Sequence, residues 1–377
     1  MVSGEDKKVV AVEGCAGYNQ PDVEEAVRKC FELCGGAESF MGRGDRVLLK
    51  PNMLSAKAPD RAITTHPVVI RTVAEIVRDM GATPLIGDSP GGVLRGVKRV
   101  WENTGIEEMA KRNDIEMVSF EASGSEEMDV MGYRFYIARP VLEADRLINI
   151  GKLKTHTLTL LTAAVKNMFG VIPGFRKSVL HKLFPKPEEF AAMLVELYRT
   201  VRPDFNIIDG ILAMEGNGPS SGETTELGIV IAGDDGVAVD AVIADIIGYS
   251  PDVIDTTRIA GERSLGISNL DYIDRRGSAR SFSADDFELT SNTKIRMIPD
   301  FLVKLVKPLV WIRPEIDPDI CTGCRLCEKS CPVNAISFDG KVCEIDSREC
   351  VNCMCCHELC PENAVEVRMS RLARIIA

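Results

Sequence analysis

Ten of the thirteen cysteines fall in the last sixty residues, and their order points to one kind of chemistry. Cys321, Cys324, Cys327 and Cys331 are followed by Pro332, and Cys350, Cys353, Cys356 and Cys360 repeat the spacing and are followed by Pro361. An offset of 29 residues superimposes the two runs and also carries Asn334 onto Asn363 and Ala335 onto Ala364. A [4Fe-4S] cluster needs four thiolates, and in paired runs of this spacing three come from one tight loop while the fourth ligates the other cluster. Cys321, Cys324, Cys327 and Cys360 are therefore expected on one cluster, and Cys350, Cys353, Cys356 and Cys331 on the second. Each proline removes an amide donor and fixes the chain direction where it leaves a cluster. Zinc sites usually pair two CxxC units per metal, which argues against two zinc knuckles. Cys343 and Cys355 stand outside the repeat, and His357 reads as a solvent-facing or outer residue.

A second set of reactive side chains is spread through the first 220 residues. Lys50 and Asn52, Asp88 and Ser89, and Lys152, Lys154 and His156 each follow an apolar run. Lys166 and Asn167 come soon after, and Asp209 closes a further run ahead of the glycine-rich stretch Ala213–Pro219. In an acidic chain, Lys50, Lys152, Lys154, His156 and Lys166 would make an anion site if the fold brought them together. His156 is then the natural proton-transfer residue, because its ordinary pKa lies near neutrality, and Lys154 would stabilise developing negative charge. Asp209, with Glu215, could bind a cation or act on a proton, against an ordinary role in capping a turn. Gly91-Gly92 reads either as a turn or as an anion-binding nest. Arg176, Lys177, His181 and Lys182 lie in a stretch from Pro173 to Phe184 that reads as irregular, either a lid over the same mouth or a plain surface loop.

The elements that must position these groups alternate. Strands are expected at Lys8–Glu13, Arg46–Lys50, Thr83–Asp88, Glu116–Phe120, Gly132–Ile137, Asp145–Ile150, Pro203–Asp209 and Leu227–Ala232. Helices are expected from Pro21, from Pro67 to about Met80, and over Trp101–Lys111, Leu160–Phe169, Pro187–Thr200 and Val237–Gly248. This alternation predicts an α/β fold, a mostly parallel sheet with flanking helices. Ligands of such sheets bind beyond the carboxyl ends of the strands, where Lys50, Asn52, Asp88 and Ser89 fall. Asp88-Ser-Pro-Gly-Gly matches neither nucleotide-binding glycine loop. Asp240, on a largely apolar helix, either reaches the site or is satisfied by a backbone partner.

The chain of 377 residues divides, on this reading, into an α/β domain (1–296), an apolar connector (297–314) and a C-terminal α+β two-cluster domain (315–377). A net charge of -11 and a pI near 5.1 argue against nucleic acid as a partner. Between Glu315 and Arg368 eleven acidic residues face five basic ones, a surface suited to an electropositive redox partner. The clustered cysteines suggest a reducing compartment, and neither a signal segment nor a run long enough to cross a bilayer is visible, so a cytoplasmic protein without transmembrane anchoring is expected. The connector, Ile298–Trp311, carries enough large apolar groups to clamp the clusters onto the main domain or to meet a partner or membrane surface.

The C-terminal run resembles the two-cluster bacterial ferredoxin, over about residues 315–369. Lys152-Leu-Lys-Thr-His156, Lys166-Asn167 with Gly170, Asp209-Gly210 and Glu215-Gly-Asn-Gly-Pro219, together with Lys50-Pro-Asn52 and Gly87-Asp-Ser-Pro90, resemble the prokaryotic family known as domain of unknown function 362, over about residues 8–290. That resemblance implies the fusion with a ferredoxin but brings no assigned catalytic residue. The combined expectation is a redox enzyme or its electron-transfer subunit, with electrons passing through two [4Fe-4S] clusters to an anionic small molecule at the α/β domain. Flavin or a divalent cation is the further carrier left open. A non-catalytic electron-transfer or sensing protein and a nucleotide- or metal-dependent activation factor are the alternatives.

Overall fold

The computed structural model describes residues 7–90, 97–174, 176–297, 299, 309, 311–329, 331, 333–350, 356, 360, 362 and 364–371. Gly91-Gly92 and most of the expected connector lie outside them. In chain order the main domain begins with β1 (Lys8–Gly14), α1 (Gln20–Leu33), β2 (Arg46–Pro51), α2 (Pro67–Asp79), β3 (Thr83–Asp88), α3 (Val97–Asn103), α4 (Ile106–Arg112) and β4 (Glu116–Ser119). The hairpin β5 (Ser125–Val130) and β6 (Tyr133–Ala138), α5 (Arg139–Glu143), β7 (Arg146–His156) and β8 (Leu160–Thr162) follow. Then come α6 (Arg176–Leu183), α7 (Pro187–Thr200), β9 (Phe205–Glu215), β10 (Glu223–Gly233), α8 (Gly236–Ile246), α9 (Asp255–Glu262) and β11 (Ile273–Arg276).

Among the described residues the main sheet has the order β11-β1-β10-β9-β7-β2-β3-β4, with β8 hydrogen-bonded to β7 off this path. Only β10 and the short β8 run against the rest. The period-two alternation of the central strands divides the core: Val47 and Leu49 join the cluster under α1, α2, α3 and α4, whereas Leu48 joins the cluster around α7. Covered on both faces, β2, β7 and β9 are buried along nearly their whole length.

Several expectations change. The strand ending at Ile150 continues to His156, so Lys152 and Lys154 are buried strand residues rather than loop residues. Likewise the strand expected to end at Asp209 runs on to Glu215, with a register shift against β7 between Lys152 and Lys154. The helix expected over Leu160–Phe169 is instead β8 followed by a 3-10 turn over Lys166–Val171. The cause is Asp240, whose carboxylate accepts from the Ala164 and Val165 amides at 2.6 and 3.0 Å and withdraws them from any helical ladder. Burial of that carboxylate, opposed by those two amides, raises its pKa to about 7. The expected helix over Trp101–Lys111 is broken at Gly105, which adopts φ 73° between α3 and α4. The stretch read as irregular near Lys177 contains α6, which buries Arg176, Lys177 and Leu180.

Gly151 marks where β7 and the turn after β8 approach most closely. A Cβ there would lie 2.6 Å from the Ala163 carbonyl oxygen and 2.7 Å from Ile208 Cδ1. Gly151→Ala is expected to destabilise the domain by about 1–3 kcal/mol through overpacking, read as a lower denaturation midpoint at unchanged slope.

Candidate functional site

The carboxyl ends of β2, β3, β7 and β9 bring the lysines together, but not into one group. Lys152 Nζ lies 2.8 Å from Asp209 Oδ2, both fully buried, and 2.8 Å from the Tyr18 hydroxyl. Tyr18 donates to Asp209 Oδ1 at 2.8 Å, and the His66 amide donates to Asp209 Oδ2 at 3.0 Å. The Tyr18 and His66 rings stack at 3.7 Å. His66 Nδ1 caps α2 by accepting from the Val68 amide, and burial lowers its pKa to about 4. Lys152 and Asp209 thus satisfy each other within the core, away from the cavity described next. Glu215 accepts from the Glu288 amide at 2.9 Å.

The cavity, of about 270 Å³, opens between β7, the 3-10 turn and α6. Lys154, His156, Lys166 and Lys177 line it with Asn52, Asp88, Ser89, Thr162, Asn167 and His181. Its only lining carboxylate among the described residues, Asp88, is occupied: Lys50 Nζ sits 2.8 Å from Oδ1, and the Met53 amide donates to Oδ2 at 2.8 Å. Gly170 makes this pair possible, since a Cβ there would come within 2.1 Å of Asp88 Oδ1 and 2.7 Å of Lys50 Nζ. Lys154 donates to Asn52 Oδ1 at 2.8 Å and to the Ile63 carbonyl at 2.7 Å. Lys177 donates to Ser89, through its carbonyl and hydroxyl, and to the Ile172 carbonyl. Lys166 lies over the faces of Phe169 and Phe190 at 5.4 and 5.7 Å. His156 accepts the Leu158 and Thr159 amides on Nδ1, which assigns its proton to Nε2. The Thr162 hydroxyl is buried without a hydrogen-bond partner among the described residues.

Burial, reinforced by the gathering of like charges, sets the electrostatics. Burial, and then Lys50 and Lys177, lower Lys166 to about 8. Burial is likewise the main cause that brings Lys177 to about 8. Burial, then Lys166 and Lys152, push Lys154 well below the ordinary amine range. Burial, then Lys166, hold His156 well below and His181 at about 3, so both rings are neutral at physiological pH. Their ring N–H groups serve as donors rather than as cations.

Behind Lys154 runs a line of buried amides. Asn52 Nδ2 donates to Asn167 Oδ1 at 2.7 Å, Asn167 Nδ2 to Asn149 Oδ1 at 2.7 Å, Asn149 Nδ2 to Asn206 Oδ1 at 2.9 Å, and Asn206 Nδ2 to the Gly233 carbonyl at 3.2 Å. Sequence reasoning singled out Asn52 and Asn167 but missed Asn149 and Asn206. It also missed Thr162 as a lining residue, and it left Lys177 and His181 between a lid and a surface loop. Lys177 and His181 lay in a basic stretch whose three- and four-residue spacing of Arg176, Lys177, Leu180 and His181 was the available helical signal.

The C-terminal region is built from β12 (Ile312–Ile316) paired antiparallel with β15 (Val365–Met369), the hairpin β13 (Ile336–Phe338) and β14 (Cys343–Ile345), and a short helix, Leu326–Lys329. Its two halves repeat hydrogen bonds at the sequence offset. The Ala335 amide donates to Cys331 Sγ and the Ala364 amide to Cys360 Sγ, both at 3.2 Å. Across the halves, the Asp317 amide donates to the Ala364 carbonyl at 2.7 Å and the Asp346 amide to the Ala335 carbonyl at 2.9 Å. Cys321, Cys324, Cys327 and Cys360 line one small cavity together with Cys343, which is buried. Among the described residues no three of His, Cys, Asp or Glu gather closely enough for a single metal ion. Cys350, Cys331 and Cys356 are described, while Cys353, Cys355 and His357 lie outside the described residues.

Residues 47–245 match the family described as Domain of unknown function (DUF362). The chain belongs to this family. Residues 314–337 match the 4Fe-4S binding domain, so this DUF362 protein carries the expected fusion. It is 36% identical over 263 residues to the thylakoid-associated protein sll1697 of Synechocystis sp., covering 69% of this chain and 80% of that one. The lactate racemase apoprotein of Thermoanaerobacterium thermosaccharolyticum aligns at 12% identity and a TM-score of 0.38, over 62% of this chain and 56% of its own. The expectation of a free cytoplasmic protein is overturned by the thylakoid association of the relative. No helix among the described residues is long and apolar enough to cross a membrane.

Removing one partner of the sealed Lys152–Asp209 pair leaves an uncompensated buried charge, whereas removing both leaves none. Asp209→Asn and Lys152→Met are each expected to cost about 3–5 kcal/mol, and the double variant less than their sum. Denaturant unfolding of the three variants measures the coupling.

Proposed function

We propose that this DUF362 protein is an iron–sulfur redox protein whose α/β domain takes a small anion, a carboxylate or phosphate, into the cavity of Lys154, Lys166 and Lys177. The observation that carries this reading is the imbalance of the cavity, in which Lys166 and Lys177 meet a single lining carboxylate among the described residues, Asp88, that Lys50 and the Met53 amide already occupy. Lys166 and Lys177 hold the anionic group, while Lys154 and His156 face its reacting end. The His156 Nε2–H and the unpartnered Thr162 hydroxyl serve as donors to an oxygen on that end. When bound, the two clusters supply electrons one at a time. Support for the first of the crossed ligand sets comes from the cavity that Cys321, Cys324, Cys327 and Cys360 line together, and the hydrogen bonds from Asp317 to Ala364 and from Asp346 to Ala335 join the two repeats across their offset.

An anion binds while the two ammonium groups stay protonated. Affinity is therefore full below a pH of about 8 and falls as pH rises through that value. Calorimetric titration with inorganic phosphate on either side of that pH checks the sign. Lys166→Met and Lys177→Met are each expected to weaken binding roughly tenfold, the loss of one charged hydrogen-bonding partner. Absence of phosphate and carboxylate binding in the folded chain would remove the reading.

Two clusters correspond to about eight irons per chain after anaerobic reconstitution. Cys321→Ala is expected to lose about half of that iron, whereas Cys343→Ala, outside the repeat, keeps it. Iron and acid-labile sulfide assays distinguish these outcomes. The thylakoid association of the relative, carried over to this chain, points to attachment at a membrane surface. Co-sedimentation of the full chain with lipid vesicles is the expected result, and full recovery in the supernatant would sink that part of the proposal.

A further inference from the structure

We infer that Lys154 is a nucleophilic amine that condenses with the carbonyl carbon of a small anionic aldehyde or keto acid seated in the cavity. This deepens the anion-site reading and rests on it: Lys166 and Lys177 hold the anionic group, and Lys154 supplies the reacting atom.

The argument starts from how the lysines at this end of the sheet are satisfied. Lys50 and Lys152 each have a carboxylate oxygen at 2.8 Å, the arrangement that holds an ammonium. Lys154 has two hydrogen-bond acceptors, Asn52 Oδ1 and the Ile63 carbonyl, and both are neutral. No carboxylate lies within ion-pair distance of it among the described residues. An ammonium has three N–H donors, whereas a neutral amine has two donors and a lone pair. Two neutral acceptors match the amine, and the remaining direction at nitrogen carries the lone pair. Lys154 lines the cavity, so a ligand seated there meets its side chain. Among its charged neighbours Lys166, Lys152 and Lys50 favour the same neutral form and outweigh Asp88, which opposes it and is paired with Lys50, in keeping with the strong lowering that burial imposes.

The cavity also provides for the oxygen that such a step displaces. Thr162 Oγ1 is buried and without a partner among the described residues, and His156 presents its Nε2–H. In the step, the Lys154 lone pair forms a C–N bond at the carbonyl carbon as the C=O π pair moves to oxygen. Both amine protons then leave with that oxygen as water and a C=N bond remains. No electrons are gained or lost overall, so neither an oxidant nor a reductant is required.

The test is reductive trapping on the full chain, folded and anaerobic, with pyruvate or glyoxylate as probe and cyanoborohydride as the external reductant, read by peptide mass spectrometry. The expected result is an adduct on Lys154 roughly tenfold or more above that on any surface lysine, the gain in free-amine fraction for each unit of lowered pKa. Inorganic phosphate is expected to suppress it. Adducts spread over surface lysines, or confined to Lys166 and Lys177, with phosphate binding intact, overturn the nucleophile and leave the anion site standing. Failure of phosphate to bind overturns both. Lys154→Gln, if folded by circular dichroism, is expected to lose the adduct; if it does not fold, the adduct map of the unsubstituted chain decides.

Discussion

Bringing five lysines to one end of a buried sheet is the constraint from which the rest of this domain follows. Each ammonium must find a partner or give up its charge, because burial without one is costly. Lys50 and Lys152 find carboxylates, and the residues around them are shaped to that need: Gly170 leaves room for Asp88, and Tyr18 and the His66 amide complete the shell of Asp209. Lys177 leans on carbonyls and a hydroxyl, Lys166 on aromatic faces, and Lys154 on an amide and a carbonyl. What is left over is positive potential directed into a cavity, which a small anion would neutralise. The same packing that makes the domain stable therefore sets the sign of the potential in its cavity.

Much of this was legible in the sequence, and the failures have separate physical causes. The cysteine repeat was plain because metal ligation fixes spacing more tightly than packing does, and its offset reappears atom for atom in the paired amide–sulfur contacts of Ala335 and Ala364. The parallel strands were legible up to the residues where they turn polar. Beyond Ile150, β7 buries Lys152, Lys154 and His156 inside a strand, and no apolar pattern marks a strand whose side chains are charged. β9 was ended too early for another reason: Asp209-Gly210 reads as a strand end, although Ile211, Leu212, Ala213 and Met214 carry the apolar run on to Glu215. The false helix over Leu160–Phe169 was a local pattern overruled by a distant carboxylate, Asp240, with Leu160 in the left-handed region at φ 66°. Lys152 and Asp209 were found as strand-end residues, but a register shift decides that they face each other, and no sequence periodicity reports such a shift.

The two halves of the chain meet different demands. The C-terminal region has a small core of its own, formed around Cys327, Ile336, Cys343, Cys356 and Val365, in which thiols do the work of apolar side chains. The α/β domain, by contrast, has extensive apolar clusters on both faces of its sheet and can hold its charged end in place unaided.

The line of four asparagines behind Lys154 has a further consequence. A lone amide pair can be turned end for end at little cost, since each side chain both donates and accepts. This line cannot, because Lys154 donates to Asn52 Oδ1 at one end and the Gly233 carbonyl at the other only accepts. Reversing any single amide would set donor against donor at one neighbour and acceptor against acceptor at the next. The line is thus polarised like a row of aligned magnets, with its acceptor end toward the cavity. It runs from β2 through β7 and β9 to the end of β10, so the strands cannot slide past one another without scrambling it. A motif that looks like idle polar filling acts as a keyed lock on the register of the central sheet.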